Sequence, residues 1–328
     1  MSFDPSRELA PGVPRTGNPI LDCVSRAFLF LSGLGRPHQA RTAMGPEDMA
    51  DSELCKAAFR VATSLVDGLG PVVQASFSGR AVDDSTWHHP WATTVEMFVR
   101  TAFMTSQDAC GTAAVGLRMN ASAASTGIIR TVAECHVLMR WVLDGATAEE
   151  KRGRVLAVTS TAVKRTRRSV DHWERTATGT RSPEMAAQIR QALEATETDL
   201  DTLASRNDLI IPRRPENQEL FDSYLPGGYF VFALLSNMGA HPGNPFLFYG
   251  GPRSNVLDWD FKGLHIERAY WITQACSLHL ENCKIAAPIC GWTNYEVVLA
   301  RIGRELGPLA AEAVKRLNAR RDPAGIWT

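Results

Sequence analysis

The chain of 328 residues is 45% hydrophobic and 21% charged, a composition typical of a globular protein that buries a sizeable core. Its 35 Lys and Arg residues balance its 35 Asp and Glu residues, so no net charge attracts it to DNA or to an anionic membrane. Seven cysteines without a CxxC pair argue against a disulfide framework or a zinc knuckle and indicate a reducing cytoplasm.

The first 18 residues contain three prolines and two glycines without hydrophobic periodicity, and we predict a flexible arm there. They lack the basic and apolar regions of a signal peptide, and no apolar segment further along is long enough to span a bilayer. Residues 19–328 are predicted to form a single large helical domain, located in the cytoplasm. The proline-rich segment 209–217 is the place where we expect a hinge.

Three helices are predicted in the first third of the chain, at Ile20–Leu34, Pro46–Gly68 and about Pro90–Leu117. The second begins with a proline and two acidic residues, which suit the positive end of a helix, and glycines are expected to stop it. His88 and His89 precede the third helix. Because adjacent side chains point apart and no HxxxH pattern or carboxylate pair is nearby, we expect no metal site there.

The stretch Met119–Asp144 contains no proline and is apolar on almost every side of a helical wheel, so it predicts a buried central helix. Arg130 and Glu134 lie four residues apart on one face of it, below Trp141. Buried charges need partners, so we expect these two to pair with each other or with groups on neighbouring helices.

Thr147 and Glu150 form a capping-box pattern that begins a long helix ending near Ala177. This helix is rich in basic residues: Lys151, Arg152, Arg154, Lys164, Arg165, Arg167, Arg168 and Arg175. One interpretation is a surface that faces RNA or another phosphate. The alternative, which the equal charge totals favour, is that the acidic helix beginning at Ser182 pairs with these bases in a hairpin.

A second helix with polar residues follows Pro226 and is predicted to end at Gly239. Tyr229 and Ser236 lie seven residues apart and therefore on one face of it. His241 lies at its C-terminal end, whose partial negative charge favours a protonated imidazole.

The last third of the chain is predicted to form an ordered loop at Pro242–Gly263 and a final helical pair at Leu264–Ala286 and Thr293–Arg320. Three cysteines recur at a spacing of seven residues: Cys276, Cys283 and Cys290. We expect them to line a buried helix seam, which Pro288 interrupts, and expect no metal or redox chemistry there.

No alternation of strands and helices is present, so the fold class is all-α, a multi-helix bundle. The segments IIRTVAECHVLMRWVLD and YFVFALLSNMGAH resemble a group of bacterial, often actinobacterial, helical proteins of unknown function. There an R-x-x-x-E helix packs near a Y...S...H helix. The outline is similar to HEPN domains, the helical modules of many toxin and defence ribonucleases. Over residues 90–250 the resemblance implies a HEPN-like core with additional N- and C-terminal helices.

HEPN ribonucleases use an Arg-x(4–6)-His motif, and this sequence departs from it. At the corresponding distance before His241 it has Ser236 and Asn237 and no arginine. Arg130 would have to supply the charge from the neighbouring helix, so the resemblance does not by itself imply ribonuclease activity.

Two hypotheses remain. In the first, a buried polar pocket binds or turns over an anionic small molecule or RNA phosphate, with His241 as general acid or base and Arg130 as the cation. The proposed catalytic residues are His241, Glu134, Tyr229 and Ser236, and the proposed ligand-binding residues are Arg130 and Asn237. In the second, these residues form a structural polar network in a non-enzymatic homo-oligomeric interaction protein. Neither hypothesis requires a cofactor or a metal.

Overall fold

The computed structural model describes residues 46–78, 92–118, 122–176, 182–240 and 264–319. Every regular element within these ranges is an α-helix, which confirms the all-α class for the described part of the chain. The nine helices described are α1 (Pro46–Ser78), α2 (Val95–Arg118), α3 (Ser122–Leu143), α4 (Ala148–Thr176), α5 (Ser182–Arg206), α6 (Asn217–Tyr224), α7 (Gly228–Ala240), α8 (Leu264–Cys290) and α9 (Tyr295–Ala319). The HEPN-like core stays a prediction.

Backbone contacts divide the chain into Met1–Gly45 and Pro46–Thr328, and all described residues belong to the second unit. The predicted arm, the predicted first helix and the ordered loop after α7 lie outside the described residues. So do His88 and His89. None of the helices in the described part is both long and apolar enough to cross a bilayer.

Three predicted helix boundaries are wrong. Helix α1 continues through Gly68 to Ser78, and α8 continues through Pro288 to Cys290. Helix α2 begins at Val95, after the predicted start at about Pro90. Leu65 and Leu69 of α1 are completely buried, so packing outweighs the low helix propensity of the glycines. The seam of cysteines along α8 is confirmed, since all three are buried.

Helices α3 and α8 are the two central elements of the bundle. Helix α3 packs against α2, α4, α6, α7 and α8, and α8 packs against α1, α2, α3 and α9. The main hydrophobic core includes Val132, Val137 and Met139 of α3 and Ile272 of α8, all essentially inaccessible to solvent. The predicted central helix is therefore confirmed, and α8 shares its role.

Helices α4 and α5 form a hairpin with a hydrophobic cluster of its own. The buried residues recur at seven-residue intervals: Leu156, Val163 and Val170 on α4, and Ala186, Leu193 and Leu200 on α5. This heptad spacing places each set on one stripe and packs the two stripes against each other, as in an antiparallel coiled coil. The Thr147–Glu150 capping pattern that begins α4 is present, with Thr147 Oγ1 accepting from the Glu150 amide at 3.1 Å.

Ion pairs link the two helices of the hairpin, as the pairing alternative expects. Arg167 of α4 contacts Glu197 at 2.7 Å, and Arg190 of α5 contacts Asp171 and Glu174 of α4. The pairing is partial, because Lys164, Arg165 and Arg168 have no acidic partner in the described part of the chain.

A tight turn joins α6 to α7 and sets the direction of α7. Gly227 and Gly228 have φ angles of 85° and 55°, which favour glycine. A Cβ at Gly228 would lie 2.2 Å from Oδ1 of Asp222, and the same oxygen accepts a hydrogen bond from the Tyr229 amide at 2.7 Å. The turn therefore folds α7 back onto α6, where the rings of Phe232 and Phe221 lie with centroids 4.6 Å apart, and α7 also packs against α3.

Candidate functional site

The predicted pair between Arg130 and Glu134 is present on α3. Nε and Nη2 of Arg130 lie 3.0 and 2.9 Å from Oε1 of Glu134. The two side chains are 33% and 32% exposed, so the expectation of a buried pair is wrong. An ion pair exposed to this degree contributes about 0–1 kcal/mol to stability.

Arg130 also packs against α7. Its guanidinium carbon lies 4.4 Å from the centroid of the Phe232 ring, and Tyr229 stacks on that same ring at 5.2 Å. Ser236 donates a hydrogen bond to the backbone oxygen of Phe232 at 2.7 Å. The contact between Arg130 and Phe232 joins α3 to α7, whereas the Tyr229 and Ser236 contacts lie within α7. These packing contacts favour a structural role for Arg130, Glu134, Tyr229 and Ser236.

The remaining two predicted site residues cannot be placed beside this cluster. His241 and the side chain of Asn237 lie outside the described residues. The assignment of His241 as general acid or base therefore stays a prediction.

The structure also contains a buried polar network that no pattern in the sequence indicates. It crosses the bundle from α2 through α8 to α3, and its members are Ser106, Gln107, His279, Asn282 and His136. Buried polar groups are costly unless hydrogen-bonded, and here the partners determine where each proton lies.

At the α2 end of the network, Gln107 determines which atoms donate hydrogen bonds and which accept them. Its Nε2 donates to the backbone oxygen of Val66 at 2.8 Å, so its Oε1 must accept. Nε2 of His279 lies 3.0 Å from that oxygen and therefore carries a proton. Burial lowers the pKa of His279 to about 3, so the ring is neutral and its Nδ1 accepts from the Ser106 hydroxyl at 2.9 Å.

Asn282 continues the network towards α3. Its Nδ2 donates to Oγ of Ser106 at 2.8 Å and to the backbone oxygen of Val132 at 3.2 Å. Its Oδ1 must then accept, and it lies 2.9 Å from Nδ1 of His136. His136 therefore carries its proton on Nδ1. In the neutral ring Nε2 is left as an acceptor, and within the described part of the chain no group hydrogen-bonds to it.

His136 lines an open pocket of about 490 Å³ between α3, the α6–α7 turn and α8, which we call the His136 pocket. Its polar lining consists of His136, Arg140, Ser223, Tyr224 and Glu281. Its apolar lining consists of Leu225, Pro226 and Ile285.

The charges around the pocket act on His136. Burial lowers its pKa below the usual 6.5, the hydrogen bond that it donates to Asn282 raises the pKa, Arg140 lowers it and Glu281 raises it. Burial prevails, so the ring is neutral at pH 7. Arg140 lies one helical turn after His136, and it forms no hydrogen bond or ion pair with the described residues.

The buried position of His136 could have been found from the sequence. It lies on the helix that is predicted to be buried on nearly every side, and the argument that singles out Arg130 applies to it equally. The partner Asn282 gives no such signal, since it is 146 residues away in the chain.

The described residues contain no cluster of three or more His, Cys, Asp or Glu side chains that could hold a metal ion. Comparison with protein-family models, with curated proteins and with solved structures finds no match. Any function must therefore be argued from the geometry of the His136 pocket and its network.

Proposed function

We propose that the protein binds a small organic molecule in the His136 pocket, one that carries both an anionic group and a hydrogen-bond donor. The observation that carries the proposal is the free Nε2 of His136. This side chain is only 9% exposed, yet the nitrogen forms no hydrogen bond within the described part of the chain. Because Nδ1 is fixed as the donor to Asn282, Nε2 presents an acceptor to the pocket, which suits a ligand that supplies a hydrogen-bond donor.

Arg140 supports an anion as part of that ligand. It lines the same pocket one helical turn from His136, and none of the described residues neutralises it. A guanidinium presents several N–H donors in a plane, a geometry that matches a carboxylate or a phosphate.

The size of the pocket favours a small molecule over an RNA strand. Small-molecule sites typically measure about 300–1,000 Å³, and the volume of about 490 Å³ lies within that range. The apolar wall formed by Leu225, Pro226 and Ile285 suits the hydrocarbon part of an organic anion.

The proposal is tested by titrating the protein, labelled with ¹⁵N in its histidine rings, with a panel of small carboxylates and amino acids. The ring resonances of His136 are assigned through their loss in a His136→Gln variant. We expect at least one panel member to shift them in a saturable way. Arg140→Gln should weaken that binding by about tenfold or more, since a charged hydrogen bond is worth roughly 1.5–3 kcal/mol.

A matched control is Arg301→Gln, which removes an exposed arginine from α9 and should leave binding unchanged. The proposal is wrong if no panel member shifts the ring resonances of His136. It is also wrong if a compound binds Arg140→Gln as tightly as it binds the unchanged protein.

A further inference from the structure

Two side-chain groups that line the His136 pocket can accept a hydrogen bond but cannot donate one, and they share the pocket with the cation Arg140. The first is Nε2 of His136, and the second is the carboxylate of Glu281. Glu281 already accepts from Lys284 Nζ at 2.6 Å, but both side chains are about half exposed. Such a surface pair contributes about 0–1 kcal/mol, so a bound cation can replace Lys284 at little cost.

Nε2 of His136 cannot easily become a donor, because the buried network holds the opposite tautomer and burial disfavours a second proton on the ring. A His136 ring with its proton on Nε2 would need Asn282 to rotate its amide so that the nitrogen faces Nδ1. Rotation would break both bonds that Asn282 donates, and would turn its oxygen towards the backbone oxygen of Val132, which can only accept. The Ser106 hydroxyl could not compensate, since its proton already goes to His279.

We infer that the ligand is a zwitterion, an amino-acid-like molecule that carries a protonated amine beside its carboxylate. The inference rests on the proposed function and adds the amine. The carboxylate binds Arg140, and the ammonium group donates to Nε2 of His136 and to Glu281. A simple anion would leave Nε2 of His136 without a donor and would lie near the Glu281 charge. The apolar wall receives the side chain of the zwitterion.

Matched pairs of compounds test the amine directly: L-alanine against propionate, and L-leucine against 4-methylpentanoate. Each pair differs chiefly in the amino group. The dissociation constants come from the ¹⁵N-histidine titration of the full chain. We expect each amino acid to bind at least about tenfold more tightly than its acid, which corresponds to about 1.4 kcal/mol. The amine 3-methylbutylamine, which has no carboxylate, should bind more weakly than leucine.

Glu281→Gln and Lys284→Gln provide a matched pair of surface variants on α8, neither of which touches the core. Glu281→Gln should lower the preference for the amino acids by about tenfold, because it removes the partner of the ammonium group. Lys284→Gln should keep or increase that preference, because it removes the competing cation.

The possible failures are distinguishable. If the acids bind as tightly as the amino acids, and do so through Arg140, the proposed function stands and the zwitterion is wrong. If no compound binds, both proposals are wrong. The ¹⁵N shifts of free His136 are an independent measurement, and a proton on Nε2 at neutral pH would overturn the inference before any ligand is added.

Discussion

At Gly153, helix α4 lies in very close contact with the segment that connects α5 to α6. A Cβ at this position would lie 2.3 Å from the backbone oxygen of Ile210 and 3.6 Å from Cδ of Pro212. Because the closest atom belongs to the backbone, no side-chain rotation can relieve the clash. Only glycine lets the helix and this segment approach so closely.

We therefore expect Gly153→Ala to destabilise the protein by about 1–3 kcal/mol, as overpacking does. The sign of this change in stability is informative, because a glycine-to-alanine substitution inside a helix normally stabilises the protein. The matched control is Gly68→Ala in α1, where a Cβ meets nothing within 4 Å and a gain of about 0.5–1 kcal/mol is expected. Urea unfolding of both variants measures the difference. If Gly153→Ala and Gly68→Ala gained stability equally, the result would contradict the described packing of α4 on this segment.

At the scale of elements, the hairpin of α4 and α5 differs from the rest of the bundle. The first half of α4 packs on α2 and α3, whereas α5 packs chiefly on α4. The hydrophobic cluster between α4 and α5 contains far fewer buried residues than the main hydrophobic core. A helix with one packing partner opens at lower free energy than one that is surrounded.

Hydrogen exchange should therefore be faster in α5 than in α8, which packs against four helices. Leu193→Ala removes a buried side chain from the hairpin cluster and should cost about 2–5 kcal/mol of local stability, so α5 should exchange faster still while α8 stays protected. Leu280→Ala in the main core is the control and should raise exchange across the bundle. Exchange that changes equally in α5 and α8 of Leu193→Ala would show that the hairpin does not open separately.

At the scale of the whole molecule, the buried histidines couple folding to pH. The pKa of His279 is lowered to about 3 by burial, whereas in an unfolded chain it is about 6.5. Between these values the unfolded state binds a proton that the folded state does not. Acidification therefore favours unfolding: the contribution of the neutral ring is complete above pH 6.5 and is lost progressively as the pH falls towards 3.

We expect the free energy of unfolding to fall by about 1.4 kcal/mol per pH unit through His279 alone between about pH 6 and pH 4. His279→Gln keeps a hydrogen-bonding side chain but removes the titration, so its stability should fall less steeply over this range. Leu280→Ala controls for destabilisation as such and should keep the full slope. Urea unfolding at several pH values measures how the free energy of unfolding depends on pH. The same dependence in the unchanged protein and in His279→Gln would contradict a neutral buried ring.

Much of the local architecture could be predicted from the sequence. The capping pattern at Thr147 and Glu150, the apolar stretch that contains α3 and the seven-residue spacing of three cysteines all depend on residues within a few turns of one another. Helical periodicity relates such residues directly, and so does the ion pair between Arg130 and Glu134. These features did not require knowledge of how the helices pack.

The polar groups that meet across different helices could not be predicted from the sequence. Ser106 and His279 are 173 residues apart, and His136 and Asn282 are 146 residues apart. Their pairing depends on how α2, α3 and α8 rotate and cross, which no local pattern determines. The packing of the helices also leaves the pair of Arg130 and Glu134 partly exposed. It likewise lets α8 continue through Pro288. Local patterns in the sequence thus predict most of the helices, whereas the packing of the helices places His136 on the wall of a pocket.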